Sequence, residues 1–274
     1  MFQLMLLPFL ACLVLTGIHS YLGMHIIKRE VIFVDLALAQ IAAMGAVIAS
    51  LFGIELHSTG SYIISLIFTF LGAIVFAFTR LKEKRVPQEA IIGIVYVVTA
   101  AITILIFSKA PAESEHLKNM LVGNILFVKV SQITKMLILY SIIGIFHYIY
   151  RKEFITVSEG IKTANLQKIN IRLWDFLFYA SLGVVVTSSV EIAGVLLVFS
   201  YLIVPAACIL MITNDLKVVL IGGWVIGTVT SLIGLYLSAS YDFPTGAAIV
   251  CAFGMVFILV WILKWIFKNK FYKR

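Results

Sequence analysis

Charge is what this sequence has least of. Only 12% of its 274 residues are Asp, Glu, Lys or Arg. A water-soluble domain carries about a quarter, so a soluble fold is excluded. Disorder is excluded too, because it requires low hydrophobicity and 62% of this chain is hydrophobic. Cysteine is scarce: Cys12, Cys208 and Cys251 all fall in apolar runs. They show neither metal-type spacing nor a disulfide framework and read as reduced packing residues. Catalytic signatures are missing as well. There is no His-Glu-x-x-His, Gly-x-Ser-x-Gly or Cys-x-x-Cys, and the five histidines are scattered. No Gly-x-x-x-x-Gly-Lys-Ser/Thr loop is present, so ATP, if it drives this protein, binds on another chain. A membrane-embedded enzyme therefore has no positive support in these motifs.

What is present is a series of long uncharged runs: 1–27, 36–54, 56–79, 90–108, 192–214, 218–241 and 243–263, with shorter ones at 136–150 and 176–190. A helix needs roughly 20 apolar residues to cross the hydrocarbon core. The fold class is therefore all-α: a polytopic membrane protein of about nine spans, read as one domain over 1–274. A membrane β-barrel would show short alternating segments instead. Lys28 and Arg29 follow the first run rather than preceding it, the reverse of a cleavable signal peptide. With the N-terminus outside, 17 Lys/Arg residues fall in inside loops and four outside. That asymmetry fixes the expected orientation, with the C-terminus inside. It also accounts for the net charge of +8 without any nucleic acid.

Two loops stand out. Residues 109–131, outside, begin KAPAESEH and contain an apolar stretch, Met120 to Val128, too short to span. Residues 151–173, inside, are the longest cytoplasmic segment, where Ser158 is expected to cap a short helix from Glu159 to Leu166. In span 2, Asp35, Ala39, Ala42, Ala46 and Ala49 fall on one stripe, and in span 8 Gly223, Gly227 and Ser231 recur every four residues. Such faces bring helix backbones close together in lipid. The plainer reading is packing; the sharper one is that span 2 is central and lines a pathway.

Buried polar groups in a membrane are costly, so they are the next candidates. His19 lies about 13 Å up the helix from Lys28, Gln40 sits at a similar depth, and Asp35 lies nearer the inside end of span 2. Asp35 and Gln40 are five positions apart, which separates their side chains by about 140°. One reading makes His19, Asp35 and Gln40 a polar track for a cation, with Asp35 the candidate metal ligand. The other pairs Asp35 with a nearby Arg or Lys and bonds His19 and Gln40 between helices. Pro205, inside span 7, removes a backbone hydrogen bond and is expected to kink it.

Several segments resemble the permease subunits of bacterial metal-uptake ABC transporters, the zinc/manganese/iron family. GVLLVFSYLIVPAA (194–207) is similar to its Gly-x-Leu-Leu-x-x-x-Leu-Leu-x-Pro-Ala-Ala signature, and SYDFPTGAAIV (240–250) to its Ser-x-x-Asp-x-Pro-x-Gly segment. Gly194, Pro205 and Gly246 fall on these motifs and are read as structural. Residues 22–49 align without gaps on the family's first inside turn and second span. MLVGNIL (120–126) resembles its Leu-Phe-Gly-Asp-x-Leu stretch, and VPQEAIIGIVY (86–96) the start of its fourth span.

The resemblance implies a type II importer permease in a bacterial cytoplasmic (inner) membrane. A second permease copy completes the pathway, a cytoplasmic ABC ATPase binds ATP and Mg, and an extracytoplasmic binding protein delivers a metal ion. The coupling helix would lie in Ser158, Glu159, Gly160, Ile161, Lys162, Thr163, Ala164, Asn165 and Leu166, although the usual glycine near 166–168 is absent. The family's Asp and His on span 2 fall here on Leu36 and Gln40, with Asp35 at the preceding Gly. Gln is a poorer partner for zinc than imidazole. The alternatives are a chelated-metal or non-metal importer, a gradient-driven secondary transporter and a membrane scaffold or enzyme subunit with no active site of its own.

Overall fold

The computed structural model describes the backbone of residues 2–56, 58–80, 86–107, 123 and 125–271, and the side chains of these except 2–4, 107, 161–162 and 267–271. It is helical throughout, with no strand among the described residues. The elements are α1 (Phe2–Arg29), α2 (Val34–Leu51), α3 (Thr59–Thr79), α4 (Gln88–Phe107), a 3₁₀ turn (Ile125–Phe127), α5 (Val130–Ile149), α6 (Arg151–Glu159), α7 (Ile161–Leu166), α8 (Ile171–Ala193), α9 (Val195–Leu210), α10 (Leu216–Tyr241) and α11 (Thr245–Phe271). Of the loop expected at 109–131, residues 109–122 and 124 lie outside the described residues, as do 81–85 of the inside turn.

Eight of these helices are long and apolar enough to cross a membrane: α1 to α5, α8, α10 and α11. The two shorter runs, 136–150 and 176–190, lengthen into α5 and α8, of 20 and 23 residues. The short member is α9, whose charge-free run looked ample. It is 16 residues long, about 24 Å, against a core of roughly 30 Å. Gly194 is the reason. At φ +77° it ends α8 and starts α9 in a backbone conformation that L side chains resist. Two helix starts follow ordinary capping: Ser58 accepts from the Ser61 amide at 3.2 Å, and Asp215 from Lys217 at 2.8 Å.

The chain divides into two compact units. The first comprises Met1–Ile27, Leu121–Ile138 and Ile192–Arg274; the second comprises Lys28–Met120 and Leu139–Glu191. In the first unit, α1, α9 and α10 meet through small residues. A Cβ on Gly23 would overlap the Leu202 carbonyl, one on Gly223 would lie 3.2 Å from Ser20 Cβ, and one on Gly227 would lie 2.6 Å from Thr16 Cγ2. The recurring glycines of α10 are thus its contact face with α1, and Trp224 Nε1 donates to the Gly17 carbonyl at 3.0 Å along it. Tyr201, fully buried, shares a 2.5 Å hydrogen bond with Ser231.

In the second unit α2 packs on α3 and α4. Its buried positions run from Val34 to Ala49 and fall on more than one face, so α2 is central within that unit. Asp35, Ala39, Ala42 and Ala49 of the predicted stripe are buried and Ala46 is half-buried. Small residues again set the spacing: a Cβ on Gly45 would lie 3.0 Å from Ser65 Cα, and one on Gly72 would lie 2.6 Å from Ile41 Cδ1.

Candidate functional site

Asp35 sits in the first turn of α2, is 1% exposed and, among the described residues, is not paired with an arginine or lysine. Its Oδ1 has no hydrogen-bond partner among the described residues. Glu89, in the first turn of α4, lies within electrostatic reach of it. One Glu89 oxygen accepts from the Phe33 amide at 3.0 Å, and the other is buried without a partner among the described residues. Sequence reasoning placed Glu89 at the start of a span but missed its approach to Asp35. The visible signal was an acid at the first turn of each of two apolar helices.

Gln40 is bound further along α2. Its Nε2 donates to Thr103 Oγ1 at 3.4 Å, and Thr103 donates to the Thr99 carbonyl at 2.8 Å. The amide nitrogen is committed to α4, which leaves the carbonyl oxygen as the atom that bond does not use. His19 belongs to the first unit. It is fully buried, and its Nδ1 donates to the Leu15 carbonyl at 2.8 Å, one turn back in its own helix. Among the described residues no three His, Cys, Asp or Glu side chains gather in one place.

The segment 151–173 departs from expectation at its boundary. Ser158 does not cap a helix over Glu159–Leu166. It lies in the last turn of α6, 2% exposed, and its Oγ donates to the Phe154 carbonyl at 2.8 Å. The break falls two residues later at Gly160, φ +129°, and Glu159 ends α6 rather than starting α7. Leu166, at the end of α7, is 86% exposed, an unusual position for a large apolar side chain. The missing glycine has a structural counterpart: Lys168 takes φ +55° there without being one.

The strongest electrostatic feature was not foreseen. Asp175, in the first turns of α8 and fully buried, takes Arg29 Nη1 at 2.5 Å and Arg80 Nη1 at 2.7 Å. Arg29 Nε also donates to Ser158 at 2.9 Å, and Arg80 Nη2 to the Val157 carbonyl at 3.4 Å. The Arg29 guanidinium covers the Phe178 ring at 4.0 Å. Arg29 was the cation available to Asp35, yet its partner is Asp175. The sequence signal was an acid immediately before the uncharged run 176–190, with arginine rather than lysine ending α1 and following α3; arginine's planar fork suits buried pairing.

In the first unit, Pro205 lies inside α9, which stays helical to Leu210. Gly246 lines a pocket of about 290 Å³ with Gly123, Asp242 and Phe243, among others. Gly123 approaches the Ala193–Gly194 backbone so closely that a Cβ would overlap it.

Known proteins resemble this chain over most of its length. The manganese transport system membrane protein MntC of Listeria innocua is 26% identical over 88% of this chain and 84% of its own. A protein of Haemophilus influenzae named "Probable iron transport system membrane protein" is 27% identical over 94% and 93%. Among solved structures, PsaBC from Streptococcus pneumoniae in complex with Fab superposes with a TM-score of 0.77 at 21% identity, covering 94% of this chain and 90% of that one. The model of the ABC 3 transport family matches residues 1–264, so the chain belongs to that family: it is a multi-pass membrane subunit of an ABC transport system, in which ATP is hydrolysed on a separate subunit.

Proposed function

We propose that this chain is the membrane-spanning half of an importer that carries a divalent transition metal ion of the manganese–iron kind into a bacterial cell. Residues 1–274 act as one permease in the cytoplasmic membrane, N-terminus outside and C-terminus inside. A second copy completes the pathway, an extracytoplasmic binding protein delivers the ion, and an ABC ATPase carrying ATP and Mg docks on the α6–α7 segment. The exposed Leu166 supports α7 as the docking element, because an apolar knob at the end of a short connecting helix suits a groove in a partner.

The observation that carries the choice of ion is the chemistry of α2. Its polar donors are oxygens: the Oδ1 of buried Asp35, which has no hydrogen-bond partner among the described residues, and the carbonyl of Gln40. Carboxylate and carbonyl oxygens suit manganese better than they suit zinc, which favours imidazole and thiolate. The similar proteins named for manganese and iron transport point the same way. Membership of an ABC family removes support from the gradient-driven alternative.

The test is uptake and ATPase stimulation of the chain reconstituted in lipid with its ATPase and binding protein, using manganese(II), iron(II) and zinc(II). Manganese or iron should stimulate the wild type, Asp35→Ala should lose at least tenfold in uptake, and Gln40→His should move the preference toward zinc. A wild type that responds to none of the three metals in a complex that still hydrolyses ATP would overturn the metal reading.

A further inference from the structure

Arg29 and Arg80 each hold two things at once. With Nη1 they bind Asp175 of α8, Arg29 at 2.5 Å and Arg80 at 2.7 and 3.0 Å to the two oxygens. With their other nitrogens they hold the last turn of α6, Arg29 through the Ser158 hydroxyl and Arg80 through the Val157 carbonyl. Val157 and Ser158 precede the Gly160 break, and Asp175 follows the end of α7 by nine residues. The chain entering α7 and the chain leaving it are therefore gripped by the same two guanidiniums. Those guanidiniums belong to the last residue of α1 and the residue that follows α3.

Stability alone does not account for this arrangement. One buried and one half-buried cation around a single buried carboxylate leave an excess positive charge, and Arg29 Nη2 has no partner among the described residues. Desolvation of such clusters commonly cancels their Coulombic gain, and apolar replacements of similar volume serve stability as well or better. What the cluster supplies is a rigid, directional joint.

Resting on the reading of α7 as the ATPase-docking helix, we propose that Arg29, Arg80, Asp175 and Ser158 are positioning residues of the transport cycle: they clamp α6 and α8 around α7 so that its displacement by the ATPase reaches the ends of α1 and α3 as one body.

Two variants isolate the clamp from folding. Ser158→Ala removes the α6 end of the Arg29 bridge and leaves every charge in place. Arg29→Lys keeps the charge beside Asp175, but an ammonium lacks the fork that spans Ser158 and Asp175 together. In the reconstituted full complex, the readout is manganese transported per ATP hydrolysed. Both variants should hydrolyse ATP within about twofold of wild type, with the transported ratio lowered by about tenfold. An unchanged ratio in both variants would show that the cluster is structural only and overturn the proposal. Asp175→Asn should lower the ratio further, measured on the folded fraction so that lost protein is not read as lost coupling. Leu166→Asp tests the premise separately. It should release the ATPase; if the complex stays intact, α7 is not the docking helix and the clamp loses its role.

Discussion

The seam between α1, α9 and α10 and the cluster around Asp175 are two ways of holding helices together, and they use opposite materials. The seam is built from glycines, hydroxyls and one buried tyrosine, with a carbonyl of α9 occupying the space a Cβ of Gly23 would need. The cluster is built from charge, two arginines on one carboxylate, backed by the rings of Phe178 and Phe154. In lipid there is no hydrophobic drive between helices, so close packing of small residues supplies cohesion. A packed seam of that kind has one arrangement and a steep cost for any other. A buried ion cluster gives little net stability, but its bonds are few and directional, so it fixes the helices it joins in one relative geometry. The contrast puts cohesion in the first region, and the proposed clamp makes the second the part that transmits motion.

The most severe break in that contrast should be Gly23→Val. It drives a side chain into the Leu202 carbonyl, and backbone does not yield as a side-chain tip does. A loss above about 4 kcal/mol is expected, read as loss of monodisperse protein on size exclusion in detergent. Asp175→Ala comes next. It leaves the buried Arg29 and the half-buried Arg80 without their carboxylate, which costs about 3 kcal/mol, read as a lowered unfolding midpoint. The informative companion is the triple replacement Arg29→Met, Arg80→Met, Asp175→Leu. It should unfold within about 1 kcal/mol of wild type or above it, yet lose coupled uptake. If the triple variant transports normally, charge is not what carries the motion. Within the seam, Tyr201→Phe removes the hydrogen bond to Ser231 and keeps the ring. Interhelical hydrogen bonds in membranes average about 0.6 kcal/mol and reach about 1.7, so its effect should be well below that of Gly23→Val.

These two regions were not equally legible in the sequence. The seam could be read, because Gly223, Gly227 and Ser231 recur at a spacing that places them on one helix face, and Thr16 and Ser20 of α1 are what they meet. The spans could be read for the same reason, since uncharged length is a local property. The cluster could not. Arg29, Arg80 and Asp175 are separated by 51 and 95 positions, and nothing local says which acid an arginine will choose. Asp35 was the acid closer in sequence to Arg29, and the fold gave Arg29 to Asp175 instead. The α6–α7 boundary was misread for a related reason. Ser158 has the chemistry of a cap, but Gly160 has the stronger claim to a break, because only its backbone adopts φ +129° freely.

The smallest expected effect compares the ends of two helices, α2 and the short α7. Both close with the same pair of hydrogen bonds. At α2, Ile54 donates to the Ala49 carbonyl at 3.2 Å and Gly53 to Ser50 at 3.0 Å; at α7, Ile169 donates to Ala164 at 3.0 Å and Lys168 to Asn165 at 3.1 Å. This closure requires a left-handed residue in the middle, usually glycine. Gly53 supplies it at φ +75°, and Lys168 is made to supply it at φ +55°. A Cβ at position 53 would meet nothing within 4 Å, so the cost of Gly53→Ala is conformational alone, about 1 kcal/mol. Lys168→Gly is the reverse experiment. It removes a strained side chain from an exposed position, but it also adds unfolded-state entropy, so the gain should be about 0.5 kcal/mol. Paired unfolding curves in detergent measure both. A gain at 168 with a loss at 53 would show that α7 is closed by backbone geometry alone. A loss at 168 would mean that the Lys168 side chain itself holds α7 closed, so that the end of this helix depends on a charged side chain rather than on backbone geometry.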